Sequence, residues 1–199
     1  MGAPRPCRIL LARHGETAWN ALGRLQGHTD IELNEVGRAQ ARSLAATVAR
    51  RELSAVWTSD LSRARQTGEI VARALGLDAP RVDSELRERR FGVFEGLTRA
   101  QCARRHPEAW RAWVERTTTP PGGEPREVAV ARLGRALRRI ADLSEGAVLV
   151  ISHGGVMRQW LSEVLGTAVP PIANATVFTL EHEQGAFRPA SGTPWIEER

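Results

Sequence analysis

The sequence contains no lysine, and cysteine is rare. All 28 basic residues are arginines, so every cationic side chain of this kind is a planar group that stays charged across the physiological pH range. Only Cys7 and Cys102 carry thiols, and their spacing fits neither a disulfide framework nor a zinc site. We therefore expect the protein to reside in a reducing compartment.

Long apolar runs are also missing. No stretch approaches the ~18 residues of a membrane-spanning helix, and the first six residues, MGAPRP, lack the apolar centre of a signal peptide. The net charge is +5, but the arginines alternate with acidic residues and form no block. This pattern, together with the lack of an evident aromatic platform, argues against a nucleic-acid partner. We expect a cytoplasmic protein without a membrane or nucleic-acid partner.

The composition is otherwise that of an ordinary globular protein, with 42% hydrophobic and 26% charged residues. The 199 residues suit a single α/β domain, 1–199. Apolar runs at 9–12, 55–58 and 147–151 predict strands, and the amphipathic stretches between them predict helices on the sheet. The run 147–151 is entirely aliphatic, which indicates a central parallel strand that is covered on both faces.

Several boundaries can also be predicted. A helix should run from Asn34, its N-cap, to about residue 51, and another over 61–75, with Asp60 as its N-cap and Gly76 closing it. The segment at about 97–124 combines irregular helix with a Pro- and Gly-rich loop, which indicates a cap-like insert over the site. The tail from Phe187 onward, and chiefly after about residue 190, is predicted to be partly disordered.

Polar residues follow three of the predicted strands. Arg13 and His14 follow the first, Arg63 lies just beyond the second, and His153 follows the last. Because parallel strands share one carboxyl edge, we expect these side chains to converge. Arginine forks bind phosphate oxygens in bidentate fashion, and a neutral imidazole is a competent nucleophile near pH 7. We therefore predict a phosphoryl-transfer site, with His14 as nucleophile and Gly15 allowing the chain to turn behind it.

Glu88, in the loop after residue 82, is the candidate acid and base. It would protonate the leaving oxygen if burial beside the phosphate raises its pKa, and it would then take a proton from water. Glu85 and Glu95 are nearby acidic alternatives. A protonated His153 would donate to the equatorial phosphate oxygens. No metal is expected, because the histidines lack metal-ligand spacing and the arginines would repel a cation.

Four motifs resemble those of the histidine phosphatase superfamily, and they occur in the expected order over about residues 8–160. They are Arg13-His14-Gly15-Glu16-Thr17, Ser59 to Thr67, Leu86 to Gly96, and Val150 to Gly155. The resemblance implies the phosphoglycerate mutase-like fold. This is a three-layer α/β sandwich, with a mostly parallel central sheet flanked by helices.

The resemblance also implies a role for each matching residue. It implies that no cofactor is needed. His14 would be the phosphorylated nucleophile and Glu88 the proton donor. The phosphate pocket would consist of Arg13, Arg63 and His153, completed by Asn20, Gln26, Gly27 and Gly154.

Departures from the family's mutases favour a hydrolase. Phe91 stands where the mutases have tyrosine, Gly155 stands where they have asparagine, and the insert lacks their adjacent arginine pair, while Arg99 is retained. We expect a metal-independent phosphomonoester hydrolase that acts through a phosphohistidine on a small phosphorylated metabolite. It resembles bacterial broad-specificity, glucosyl-phosphoglycerate and α-ribazole phosphatases. A phosphoglycerate mutase and a non-catalytic phosphate-binding protein are the alternatives. A homodimer is compatible with all three functions.

Overall fold

The computed structural model describes residues 7–183, 185–190 and 196–197. These residues form one seven-stranded sheet. Its strands are β1 Cys7–Arg13, β2 Leu53–Thr58, β3 Arg81–Val82, β4 Ala147–Ser152, β5 Val177–Glu183, β6 Ala186–Pro189 and β7 Ile196–Glu197. The order is β3-β2-β4-β1-β5-β6, with β7 paired to β5. Strands β3, β2, β4 and β1 are parallel to their neighbours, whereas β5 runs antiparallel to β1.

Helices cover both faces of the sheet. Those that do so are α2 Glu35–Val48, α3 Ser62–Leu75, α6 Arg126–Asp142 and α7 Gly154–Leu165. The other α-helices of the described residues are α1 Ala18–Ala21, α4 Arg99–Arg105 and α5 Pro107–Val114. Successive side chains of a strand face opposite sides of a sheet. In β1, Ile9 and Leu11 accordingly pack in the core cluster of α6 and α7, and Leu10 and Ala12 pack in that of α2 and α3. The predicted three-layer sandwich is confirmed.

The central position of β4 is also confirmed. Each of its residues is buried, and it pairs in parallel with β1 on one side and with β2 on the other. The aliphatic run 147–151 can occupy this position because it faces apolar helices on both sides. The carboxyl ends of β1, β2 and β4 consequently lie next to one another.

The helix ends match the predictions except at Asp60. Asn34 caps α2 by accepting from the Gly37 amide at 2.8 Å, and Gly76, at φ 67°, closes α3. The predicted N-cap at Asp60 is wrong, because the Arg87 guanidinium binds that carboxylate. The amide of Ser62 at the start of α3 instead donates to Oδ1 of Asp30 at 2.7 Å.

The segment 97–124 holds α4, α5 and the loop that follows them, and it packs with Phe94 in a small apolar cluster separate from the two sheet cores. Phe94 is fully buried there, and Trp110 and Trp113 pack against it with ring centroids at 5.5 and 5.6 Å. The predicted disorder is wrong at Phe187, which lies in β6, is buried and packs on Trp160. Residues 191–195 and 198–199 of the predicted disordered tail lie outside the described residues.

None of the described helices has the length and apolar character that crossing a bilayer requires.

Candidate active site

The strand register places two histidines side by side at the carboxyl edge of the sheet. Arg13 pairs with Ser152 at the ends of β1 and β4, and the next amide, that of His14, donates to the Ser152 carbonyl at 3.1 Å. The rings of His14 and His153 consequently lie with their centroids 5.0 Å apart. The Ser59 amide, just after β2, donates to the Ile151 carbonyl at 3.2 Å and brings the third strand end to the same place.

His14 is held as a neutral imidazole. It is buried, and its Nδ1 lies 2.6 Å from the Gly15 carbonyl oxygen. A carbonyl only accepts, so Nδ1 carries the proton and Nε2 keeps a free lone pair. Burial, followed by the charges of Arg63 and Arg13, lowers the pKa of His14 well below 6.5. Since His14 lines the cleft described below, an unprotonated ring nitrogen is available to a ligand at neutral pH.

Arg63 is the central cation of the site. Its side chain is 1% exposed, and its terminal nitrogens donate to the carbonyls of Gly27 at 2.8 Å and Thr29 at 2.9 Å. Burial lowers the pKa of Arg63 to about 10, so it remains charged at neutral pH. Each terminal nitrogen carries two N–H groups, which leaves donors for a ligand in the cleft that Arg63 also lines.

Arg13 supplies the second guanidinium. One terminal nitrogen donates to the Ile172 carbonyl at 2.6 Å, whereas its buried Nε has no hydrogen-bond partner among the described residues. The side chain lies across the start of α7, where a Cβ on Gly154 would come within 2.9 Å of it. Glycine at position 154 therefore makes room for a cation with unused donors.

The hydrogen bonds of His153 differ from those that a protonated ring would make. Its Nδ1 accepts from Nε of Arg63 at 3.2 Å, and its Nε2 lies 2.7 Å from Oγ of Ser59. The ring is fully buried, and burial together with Arg63 lowers the pKa of His153 well below 6.5. The donor role considered for a protonated His153 is therefore corrected: an acceptor of a guanidinium N–H is neutral at that nitrogen. In this structure His153 orients Arg63.

Glu88 is the acid of its loop that reaches the cleft. Its Oε1 accepts from the amides of Arg89 and Val156 at 2.8 and 2.7 Å, and its Oε2 accepts from that of Gly155 at 2.8 Å. A Cβ on Gly155 would stand 2.7 Å from Oε1, so the glycine at this position is required for the carboxylate to rest on the start of α7. Glu85 pairs instead with two arginines of α6 at the surface.

Glu95, the other acidic alternative, shapes the loop around Gly27, which lines the cleft. Its carboxylate accepts from the amides of Phe91, His28 and Thr29 at 2.9 to 3.1 Å. Gly27 adopts φ 55°, and a Cβ there would collide with the same carboxylate at 2.1 Å. Gln26 beside it is buried and lines the cleft, with Oε1 unpartnered among the described atoms.

Asn20 also lines the cleft, and the sequence reading missed the residue that holds it there. Asn174 donates from Nδ2 to the His14 carbonyl at 3.0 Å and to Oδ1 of Asn20 at 3.3 Å. Thr67 has a role here that its place in the Ser59 to Thr67 motif does not by itself indicate. Its Oγ1 accepts from the Gly15 amide at 3.0 Å and donates to the Arg63 carbonyl at 2.7 Å. Its position one helical turn after Arg63 was the signal that could have revealed it.

Gly15 is required for a reason other than the expected turn. A Cβ at Gly15 would lie 2.4 Å from the carbonyl oxygen of Gly37, and a Cβ at Gly37 would lie 2.1 Å from that of Glu16. The loop that follows β1 therefore rests on the first turn of α2, with no side chain between the two backbones.

These residues surround a strongly cationic cleft of about 860 Å³. Its arginines are Arg13, Arg24, Arg63, Arg89, Arg99, Arg116, Arg126 and Arg158, and its carboxylates are Glu88 and Glu127. Guanidinium groups in such excess attract an oxyanion, and phosphate suits their fork geometry. In the described part of the chain, no cluster of three or more His, Cys, Asp or Glu side chains is placed to hold a metal ion.

The fold and the cleft thus define an α/β protein with an oxyanion site built around a buried histidine and two guanidinium groups. Comparison with known families agrees with this class. The model of the histidine phosphatase superfamily (branch 1) matches residues 9–191. The chain belongs to this superfamily, as its four motifs indicate.

Curated relatives include both mutase-like proteins and phosphatases. Phosphoglycerate mutase-like protein 4 of Arabidopsis thaliana is 37% identical over 194 residues, which cover 94% of this chain and 81% of the relative. A metal-independent phosphoserine phosphatase of the same plant is 37% identical over 175 residues, or 85% of this chain and 74% of the relative. The chain also matches a bifunctional protein of Mycobacterium tuberculosis, at 46% identity over 74% of its own length, but it spans only 41% of that protein.

A solved structure supports the same fold assignment. Mycobacterial glucosyl-3-phosphoglycerate phosphatase, in complex with VO3, is 32% identical to this chain and superimposes with a TM-score of 0.79. The match covers 92% of this chain and 96% of that structure. The mostly parallel sheet with helices on both faces is therefore the phosphoglycerate mutase-like fold.

Proposed function

We propose that the protein is a metal-independent phosphomonoester hydrolase that acts on a small phosphorylated metabolite through a phosphohistidine. The observation that carries this proposal is the hydrogen bond between His14 Nδ1 and the Gly15 carbonyl, which leaves Nε2 unprotonated in an arginine-lined cleft. The phosphatases among the relatives support hydrolysis as the outcome.

In the first step Arg13 and Arg63 bind the phosphate oxygens, and Nε2 of His14 attacks phosphorus. A P–N bond forms as the ester P–O bond breaks. Glu88, a carboxylate in the resting site that takes up a proton when the ester binds, gives that proton to the leaving oxygen. The guanidinium groups stabilise the charge that spreads over the equatorial oxygens. The alcohol product then leaves the cleft.

In the second step water attacks the phosphohistidine. Glu88, now a carboxylate, takes one proton from the water as its oxygen bonds to phosphorus and the P–N bond breaks. Inorganic phosphate leaves, and His14 returns to the neutral form with its proton on Nδ1. The same side chain thus serves as acid and then as base, so the cycle closes without a metal ion or a cofactor.

The contacts of Gly155 and Phe91 favour the hydrolase over a phosphoglycerate mutase. The Gly155 amide binds Glu88, and there is no room for a side chain beside that carboxylate. Phe91, whose position the mutases fill with tyrosine, packs edge-on against Trp113 with centroids 6.0 Å apart. Neither position offers a polar side chain that would retain a bisphosphorylated intermediate.

The direct test is hydrolysis in the presence of EDTA, comparing two esters with wild type and Glu88→Gln. Glycerol phosphate has a poor leaving group and needs the acid, whereas p-nitrophenyl phosphate does not. We expect wild type to cleave both esters. Glu88→Gln should lose about 10²- to 10⁴-fold in kcat/KM, which reports the formation of the phosphoenzyme, on glycerol phosphate, and much less in kcat/KM on p-nitrophenyl phosphate.

The matched control for this test is Glu85→Gln, because Glu85 lies in the same loop but pairs with surface arginines. It should hydrolyse both esters like wild type. An equal loss of kcat/KM on both esters in Glu88→Gln would remove Glu88 from the role of acid. Activity that disappears with EDTA would refute the metal-independent mechanism.

The pH dependence of His14 follows from its burial. Burial and the neighbouring arginines lower its pKa well below 6.5, so the ring should stay neutral as the pH falls through 6.5 and become protonated only at lower pH. An NMR titration of the ring signals, assigned by their absence in His14→Ala, measures this directly. A titration midpoint at or above the ordinary histidine pKa of 6.5 would contradict the buried, arginine-lined environment of the ring.

A further inference from the structure

Arg132 is a buried arginine that lies outside the cleft, and its guanidinium makes five hydrogen bonds. It extends from α6 to the acid loop, defined here as residues 84–95. Its Nη1 donates to the carbonyls of Glu85 at 2.8 Å and Arg87 at 2.7 Å, and its Nη2 donates to that of Glu88 at 2.8 Å. Three carbonyls of one loop thus converge on a single side chain, which is 10% exposed.

Glu124 completes this arrangement from the loop before α6. Its Oε1 accepts from Nε of Arg132 and its Oε2 from Nη2, both at 2.8 Å. Glu124 is also fastened to the acid loop by its backbone, because its amide donates to the Arg90 carbonyl at 3.0 Å and its carbonyl accepts from Nε of Arg89 at 2.7 Å. The acid loop is therefore clamped between α6 and the end of the insert.

This clamp holds the backbone of Glu88, and the start of α7 binds the carboxylate of the same residue. The Glu88 carbonyl accepts from Arg132, and Nε2 of His28 lies 2.8 Å from it. At the other end, three amides bind the Glu88 carboxylate. A functional group is held accurately when its supporting contacts are themselves fixed, and Glu88 is fixed at both ends.

We infer that Arg132 is a positioning residue for proton transfer: it holds the Glu88 backbone so that the carboxylate stays aligned with the phosphoryl group on His14. The inference rests on the proposed role of Glu88 as acid and base. Arg132 does not line the cleft, so it acts through Glu88 and leaves phosphate binding to Arg13 and Arg63.

The arrangement also requires arginine in particular. Its planar fork presents five N–H groups in fixed directions, and here they span three carbonyls and a carboxylate. A lysine would bring the same charge on one atom with three N–H groups and could not span these partners. The Arg132→Lys variant therefore keeps the positive charge but loses the geometry of the hydrogen bonds, so it separates the two effects.

The test combines Arg132→Met, Arg132→Lys, Glu88→Gln and the double variant Arg132→Met with Glu88→Gln. We expect both Arg132 variants to lose on the order of 10²-fold in kcat/KM on glycerol phosphate, the scale of an ångström-level misplacement. The loss on p-nitrophenyl phosphate should be much smaller, and inhibition by inorganic phosphate should be unchanged. In the double variant, Arg132→Met should cause no loss beyond that of Glu88→Gln.

Arg135→Met is the matched control, because Arg135 lies on the same helix and binds the side chain of the same loop at Glu85, but from an exposed position. It should keep wild-type kinetics. Loss on both esters alike, or a further loss in the double variant, would show a merely structural role and overturn the inference. Unaltered kinetics in Arg132→Met would overturn it too. If Glu88→Gln itself had no effect, the proposed acid would be wrong, which is a separate result.

Circular dichroism shows whether each variant folds. If Arg132→Met does not fold, Glu124→Gln replaces it, because that change keeps the shape of the clamp and removes its ion pair. Glu124→Gln should show the same selective loss on glycerol phosphate, and an equal loss on both esters would overturn the inference.

Discussion

The variant His14→Ala is expected to lose phosphoenzyme formation completely and turnover by at least about 10⁴-fold. Nε2 of His14 is the one imidazole nitrogen in the described cleft with a free lone pair, because His153 is hidden behind the lining and bonded at both ring nitrogens. Water would have to attack the ester directly in the variant. The arginines would still hold the phosphate, so binding should survive while chemistry is lost.

Rapid mixing with a ³²P-labelled ester, followed by quenching in base, measures this result. Phosphohistidine is stable in base and labile in acid, which distinguishes it from a phosphoserine. His106→Ala is the control, because the His106 ring packs near Phe94 in the insert and does not line the cleft. Labelled protein in His14→Ala would refute the assignment of the nucleophile.

The second large effect is expected for Arg63→Met. The change removes the donors to Gly27, Thr29 and His153, and it removes a charge next to His14. Phosphate should bind at least about 10²-fold more weakly, since a hydrogen bond from a charged group contributes about 1.5–3 kcal/mol and several are lost. The free energy of unfolding should fall by about 2–4 kcal/mol, because buried acceptors lose their partner.

Calorimetry with inorganic phosphate and urea denaturation measure the two effects separately. Arg65→Met is the matched control: Arg65 lies two residues further along α3, is 51% exposed and pairs loosely with Glu69 at 3.8 Å. It should change neither quantity appreciably. Unchanged phosphate affinity in folded Arg63→Met would mean that the oxyanion site lies elsewhere in the cleft.

The sheet and the clustering of His14 with Arg63 could be predicted because their signals are local. An aliphatic run marks β4, and polar residues directly follow the strands that share its edge. Arg63 stands in the first turn of α3, where the helix dipole disfavours a cation. That local conflict indicates an anion at the sheet edge.

Other features depend on contacts that have no local signal. Arg132 lies in an amphipathic helix where arginine is an ordinary helix former, and its loop partners are 44 to 47 residues away. Asn174 reaches the His14 carbonyl across 160 positions. The protonation state of His153 depends on the atoms of Arg63 and Ser59 that face its ring. Such pairings depend on how the layers pack and not on the periodicity of any one segment.

The contact between Gly15 and Gly37 has a consequence for the descent of the protein. A Cβ at either position would meet a backbone oxygen, which no change of rotamer can move aside. A substitution at one glycine therefore cannot be compensated by a second substitution at the other. Each position should on its own tolerate only glycine in any descendant that keeps this loop against α2.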